Sequence, residues 1–232
     1  MTAQGGPMAG LGIRGTLIMA LLGVAFSAAG SARCAPSDPF GQTTQVVSGL
    51  LLEEWLAIKK ALARDHALLS ACSDSEVFGC ETALQLRHII EDAKAQQGLA
   101  VIGHINRAIN LEIKAVQKSN WLSPFEAIRG VGDCKAYSIA KYFALREVGV
   151  APDHLRVILV HLDRGGGSGI RMVVATLWQD QWLILDDLTL ALVPDVRSDY
   201  VPLLVFDDDG IRGYTADHNL SAIGATRGGG LQ

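Results

Sequence analysis

The strongest chemical signal in this chain is a cysteine delivered to the start of a helix. In Gly130-Val131-Gly132-Asp133-Cys134-Lys135-Ala136-Tyr137-Ser138-Ile139-Ala140-Lys141-Tyr142-Phe143 a glycine-punctuated loop gives way to an apolar-periodic run at the cysteine. Backbone N–H groups in a helix's first turn lack intrahelical partners, and the dipole adds positive potential there. Both favour a thiolate over a thiol. Cys134 is therefore the candidate nucleophile, weighed against the plainer reading of a buried, inert cysteine. A second chemical element is the acidic pair that closes Trp182-Leu183-Ile184-Leu185-Asp186-Asp187.

These residues need a scaffold, and the spacing of apolar residues outlines one. Helical periodicity runs over 46–70, 81–97 and 101–118, and a fourth helix begins at Cys134 and stops near Gly149. Asn106 and Asn110 lie one turn apart on the third helix, where they can steady a neighbouring loop, although solvated or capping asparagines are the more common case. Beyond 149 the pattern turns to strands over 155–162, 170–178, 181–186 and 200–206, with a glycine-rich hairpin loop at 164–169 and a tight turn at Gln179-Asp180. The order predicts an α+β domain over 36–223, with a helical part (45–149) packed on an antiparallel sheet (155–215). Residues 224–232 read as a disordered tail.

The first 32 residues read as a signal peptide, since Arg14 precedes an apolar run from Leu17 to Phe26 and a small-residue stretch ending at Ala32. The run is short for a membrane span, and no second apolar span follows, so no membrane segment is expected once the leader is gone. Cys34 is a poor lipidation site behind Arg33. Removing the leader takes away one charged residue, Arg14, and moves the net charge from −4 to −5, which argues against a nucleic-acid partner. In an oxidising compartment Cys72 and Cys80 most simply form a local disulfide worth about 2–3 kcal/mol. A metal site is the alternative, without a second Cys or His pair at ligand spacing. Cys134 is then the thiol left over in the domain.

Taken in order, several segments resemble the bacterial transglutaminase-like cysteine peptidases. They are Pro39-Phe40-Gly41, the Cys72/Cys80 pair, Asn106-Arg107-Ala108-Ile109-Asn110, Trp121 with Ser123-Pro124, Gly132-Asp133-Cys134, and the Leu185-Asp186 strand. The resemblance implies a papain-like fold, a periplasmic location, a Cys-His-Asp triad and a protein or peptide substrate, with calcium dependence in well-known members. Carried over by position, Cys134 matches the nucleophile and Asp186 the acid that orients the histidine. The histidine's own position, fifteen residues before that acid, holds Arg171 in Ile170-Arg171-Met172-Val173. A guanidinium stays protonated and accepts no thiol proton. Two acids usually follow the nucleophile, and here Lys135 and Ala136 stand instead, so no calcium or other cofactor is expected. The acidic run Asp207-Asp208-Asp209 reads as a solvated turn.

A turn at Gln179-Asp180 sets Val173 opposite Asp186, which makes an Arg171–Asp186 ion pair the natural expectation. A first hairpin centred on Gly166 would set His161 opposite Arg171, where it could act as a displaced base, against the plainer reading of an ordinary edge-strand histidine. A cation beside Cys134 would further hold the sulfur as thiolate. Trp121, Tyr137 and Trp182 are candidates to line the groove, with core packing as their default. Two functions follow. One is a periplasmic thiol peptidase with a substitute base. The other is a catalytically inactive homologue that binds a protein segment in the papain-like groove.

Overall fold

The computed structural model describes residues 37–72, 80–117, 120–164 and 167–215. The signal peptide read over 1–32, the tail read over 224–232 and the tip of the first hairpin lie outside the described residues.

Five helices gather on one face of a seven-stranded sheet. They are α1 (Leu50–Ala71), α2 (Glu81–Lys94), α3 (Leu99–Glu112), α4 (Pro124–Ile128) and α5 (Cys134–Glu147). The strands are β1 (Thr43–Val46), β4 (Leu155–Arg164), β5 (Gly167–Trp178), β6 (Gln181–Leu185), β7 (Val193–Pro194), β8 (Tyr200–Asp207) and β9 (Gly210–Tyr214), ordered β1-β9-β8-β4-β5-β6-β7 and antiparallel throughout. A separate two-residue parallel pair, β2 (Lys114–Ala115) with β3 (Val131–Gly132), stands just before α5. The expected α+β architecture, a helical half on an antiparallel sheet, is the observed one.

Both faces of the central strands are covered. Leu155, Val157, Met172, Val174 and Leu185 pack under the helices, while Ile158, Val160, Val173, Trp182, Ile184 and Tyr214 form a second core on the far side. Burial on two faces explains why β4 reads as a continuous apolar run. Helix α5 is central, with every residue from Ala136 to Leu145 buried, including Lys141. The Cys72–Cys80 disulfide is formed and joins the C-cap of α1 to the N-cap of α2.

Several boundaries depart from the periodicity. The first helix starts at Leu50, because Thr43–Val46 pairs with β9 and Gly49 breaks the chain at φ 91°. The third ends at Glu112, and Lys114–Ala115 turns to β structure. Helix α4 is an element the apolar pattern misses, although its start is signalled by a capping box. The Ser123 hydroxyl accepts the Glu126 N–H, the Glu126 carboxylate accepts the Ser123 N–H, and Pro124 fills the first helical position.

Two hairpins set the site's register. At the second, Gln179 and Asp180 both take positive φ (48° and 63°), the signature of a tight two-residue turn, and Trp178 pairs with Gln181. That register puts Val174 opposite Leu185, and Val173 level with Asp186, as the turn requires. At the first, Arg164 pairs with Gly167 across a two-residue connection, not a turn centred on Gly166. The register therefore slips by one. Val160, not His161, lies opposite Arg171, and His161 faces Ile170. Because side chains alternate, the slip sends His161 to the opposite face of the sheet from Arg171.

Candidate functional site

Cys134 reaches its position through two backbone constraints. Lys114 and Val116 donate their N–H groups to the Gly130 and Gly132 carbonyls, at 2.8 and 2.9 Å, which ties the loop before α5 to the chain after α3. Gly132 has no room for a side chain, since a Cβ there would lie 2.4 Å from that of Ala136. Asp133 then caps α5, and its carboxylate accepts the N–H groups of Lys135 (3.0 Å) and Ala136 (3.3 Å). Its second oxygen meets the Lys135 ammonium at 2.5 Å.

The sulfur is half-buried at one end of an open cleft of about 750 Å³. Val116, Gln117, Ile170, Arg171, Asp187 and Leu188 are among the residues that line it. The expectation of an acidified thiol is not met. Burial pushes the Cys134 thiol above its ordinary value, and the carboxylates of Asp133 and Asp187 add to the rise. A Met172 N–H and the Arg171 cation oppose this without reversing it. At this helix end the Asp133 carboxylate accepts two of the free N–H groups, and its charge works against a thiolate.

Arg171 does pair with the acids, but Asp187 is the closer partner. Its Nη2 lies 2.5 Å from Asp187 Oδ1 and 3.5 Å from Asp186 Oδ1. Asp186 is itself held on all sides. Tyr200 donates its hydroxyl to Oδ2, the Asp187 N–H donates to Oδ1 at 2.7 Å, and Asn110 donates to the Asp186 carbonyl at 2.9 Å. Burial works to raise the Asp186 carboxyl, yet the hydrogen bonds from Asp187 and Tyr200 and the charge of Arg171 hold it below the usual range. Asp187 goes the other way, pushed up by burial and by its neighbour Asp186.

The asparagine pair on α3 does steady this turn, since Asn106 and Asn110 both donate to the Thr189 carbonyl, at 3.3 and 3.0 Å. The three groove candidates do not line the cleft. Trp121 packs on Trp55 and Phe206, Tyr137 donates to the Ile113 carbonyl, and Trp182 lies on the far face, donating to Ser37 and stacked by Arg156. His161 is not among the residues that line the cleft; its cross-strand neighbour Ile170 is. Tyr200 and Lys141 join the site without a signal in the sequence, and Asp187 takes a larger part than its neighbour Asp186 in holding Arg171. Asp187 was legible as the second member of an acidic pair.

The acidic turn is engaged by arginines. Asp207 Oδ2 meets Arg212 at 2.8 Å and Asp208 meets Arg146 at 3.1 Å. At the edge of the far-side core, Asp38 gathers Thr43, Arg156 and Arg212, which pins the chain's entry to the sheet. Among the described residues no helix is long and apolar enough to cross a membrane.

No protein-family model matches the sequence, and no curated protein matches it. Solved structures do match in fold. Legionella pneumophila LapG in its calcium-bound form is 23% identical with a TM-score of 0.51, covering 67% of this chain and 91% of that one. A second LapG structure is 21% identical at the same TM-score over 78% and 94%, and an EGTA-treated one is 21% identical over 75% and 89%. The shared feature is the fold, helices packed on an antiparallel sheet.

Proposed function

We propose that this protein is an exported, periplasmic relative of the transglutaminase-like cysteine peptidases that seats a protein segment in the Cys134 cleft and has lost ordinary triad hydrolysis. The order of motifs that resembles this family and the LapG-like fold support the peptidase ancestry. One observation carries the loss. Arg171, which stands where the family resemblance expects the base, has its guanidinium committed to Asp187 and Asp186. A protonated guanidinium neither takes the thiol proton nor returns it to a leaving amine. With the thiol pushed up, Cys134 is a weak nucleophile as well. An open cleft of peptide-sized volume with apolar walls at Val116, Ile170 and Leu188 remains suited to holding an extended segment.

LapG is described in a calcium-bound form. The residues beside Cys134 do not fit that ion, because the Asp133 carboxylate already accepts two backbone N–H groups and is neutralised by the Lys135 ammonium. Calcium wants six to eight oxygens and usually several carboxylates. No step here involves it.

The test uses the mature protein and Arg171→His, each incubated with a thiol-directed peptidyl probe and with a denatured protein substrate. Loss of a triad member costs roughly 10⁴ to 10⁶ in rate, so even partial restoration raises turnover by about 10²-fold or more. A wild-type protein that already turns over, and gains nothing from the substitution, refutes the reading. One observation favours a second possibility, a working peptidase with His161 as base: His161 is the cross-strand neighbour of Ile170, which lines the cleft. Turnover by the wild type that vanishes in His161→Ala would establish it.

A further inference from the structure

Lys141 is the most unusual residue near the site, since it is a lysine with 1% of its surface exposed in the middle of the central helix. It lies seven residues after Cys134, two turns along the same face of α5, with Ser138 between them bonded to the Met172 carbonyl. Its ammonium makes no direct hydrogen bond among the described residues. The charged groups that act on it are Asp187 and Asp186 from the segment after β6 and Arg171 from β5. Helix α3 faces the same Asp186–Thr189 turn with the uncharged amides of Asn106 and Asn110.

A charge count gives this placement a meaning. Two buried carboxylates face one guanidinium, which leaves one negative charge over, and Asp187 is among the groups that disfavour a thiolate at Cys134. A protonated Lys141 makes the cluster neutral. We infer that Lys141 is a positioning residue whose buried ammonium balances the Asp186–Asp187 pair and so sets the net charge that faces Cys134.

This arrangement costs stability. Burial outweighs attraction by the two carboxylates and brings the Lys141 ammonium down to about 7. The folded state therefore binds fewer protons than the unfolded chain between about 7 and the ordinary lysine value of 10.5, and the destabilisation is full below that window and relieved as pH rises through it. An apolar residue of similar length would remove the cost, as replacements of buried ions often do. A purely structural lysine and a charge-balancing one thus predict different behaviour.

The inference rests on Cys134 being the reactive thiol, but its test needs no turnover and stands apart from whether the protein cleaves anything. The rate of Cys134 alkylation by iodoacetamide is measured from pH 5 to pH 10 in wild type and Lys141→Met. Removing one unit of charge two helical turns away, at about 10–15 Å in an effective dielectric of about 20, lowers the thiolate fraction by roughly six- to sixteenfold. The expected ratio of wild-type to mutant rate is of that size at pH 6 and below, and closes to about one above pH 9, where the wild-type lysine has lost its proton and the mutant carries no charge at that position either. Thermal stability of Lys141→Met at neutral pH should rise or hold. A folded mutant whose alkylation matches wild type at every pH overturns the inference. Should Lys141→Met fail to fold, lysine labelled with ¹³C at Cε reports the same coupling in Asp187→Asn. A Lys141 midpoint lower than in wild type supports the inference, and an unmoved midpoint refutes it.

Discussion

Replacing Arg171 with glutamine tests the electrostatics of the site directly. The guanidinium is 21% exposed, whereas Asp186 and Asp187 are 2% and 12% exposed, so the substitution strands two nearly buried carboxylates. Breaking a buried ion pair by removing one partner costs about 3–5 kcal/mol, and access of water at the exposed fifth of the arginine reduces this to about 2–3 kcal/mol. The loss should depend on pH. The Asp187 carboxyl already sits above its ordinary 3.8 because of burial, then Asp186, and Arg171 is what restrains it. Without that cation the folded state keeps a proton that the unfolded chain has released, so the mutant loses stability as pH climbs from about 4 to the new Asp187 midpoint. Urea unfolding at pH 8 and at pH 4.5 is the assay. The expected deficit is about 2–3 kcal/mol at pH 8 and smaller by about 1 kcal/mol or more at pH 4.5. A deficit under about 0.5 kcal/mol, or one that is equal at the two pH values, would refute the view that the carboxylates depend on Arg171.

The Lys135–Asp133 pairing predicts that calcium does not stabilise the protein: a saturating ligand at a hundred times its dissociation constant adds about 2.7 kcal/mol, so a melting temperature that climbs by several degrees with calcium and falls with EGTA would contradict it. Asp38 is drawn upward by burial, but hydrogen bonds from Thr43, Arg156 and Arg212 hold its carboxyl below 3.8. Its contribution is therefore present at neutral pH and lost as pH falls below about 4, and Asp38→Asn should cost about 3 kcal/mol at pH 7 while flattening the acid limb of the stability curve, as read by urea unfolding at pH 3 and pH 7. Reduction of the Cys72–Cys80 bridge should remove about 2–3 kcal/mol in the same assay, with alkylated Cys72 and Cys80 identified by mass.

Much of this protein is local and could be read from the chain alone. The period of apolar residues marks α1, α2 and α5 to within a few residues of their ends but runs six residues past the end of α3, and the Gln179-Asp180 turn carries enough information to set the register of β5 on β6. Asn106 and Asn110, one helical turn apart, offered a hold on a loop as one of two readings, and the structure decided for it. Cys134 at the mouth of α5 and an arginine near the acids are legible for the same reason: caps, turns and alternation are decided by neighbours a few residues away. What only the tertiary structure decided lies at longer range. A one-residue difference at a glycine hairpin, which composition cannot resolve, moved His161 to the other face of the sheet. Thr43–Val46 became a strand because β9, more than 160 residues later, offered an edge. The charge state of the site is also collective. The helix end that should acidify Cys134 also carries an aspartate cap whose charge opposes a thiolate, burial raises the thiol, and Lys141 is a core residue only because sheet and helices close around α5. Desolvation depends on everything packed around a group, and no stretch of sequence carries that sum.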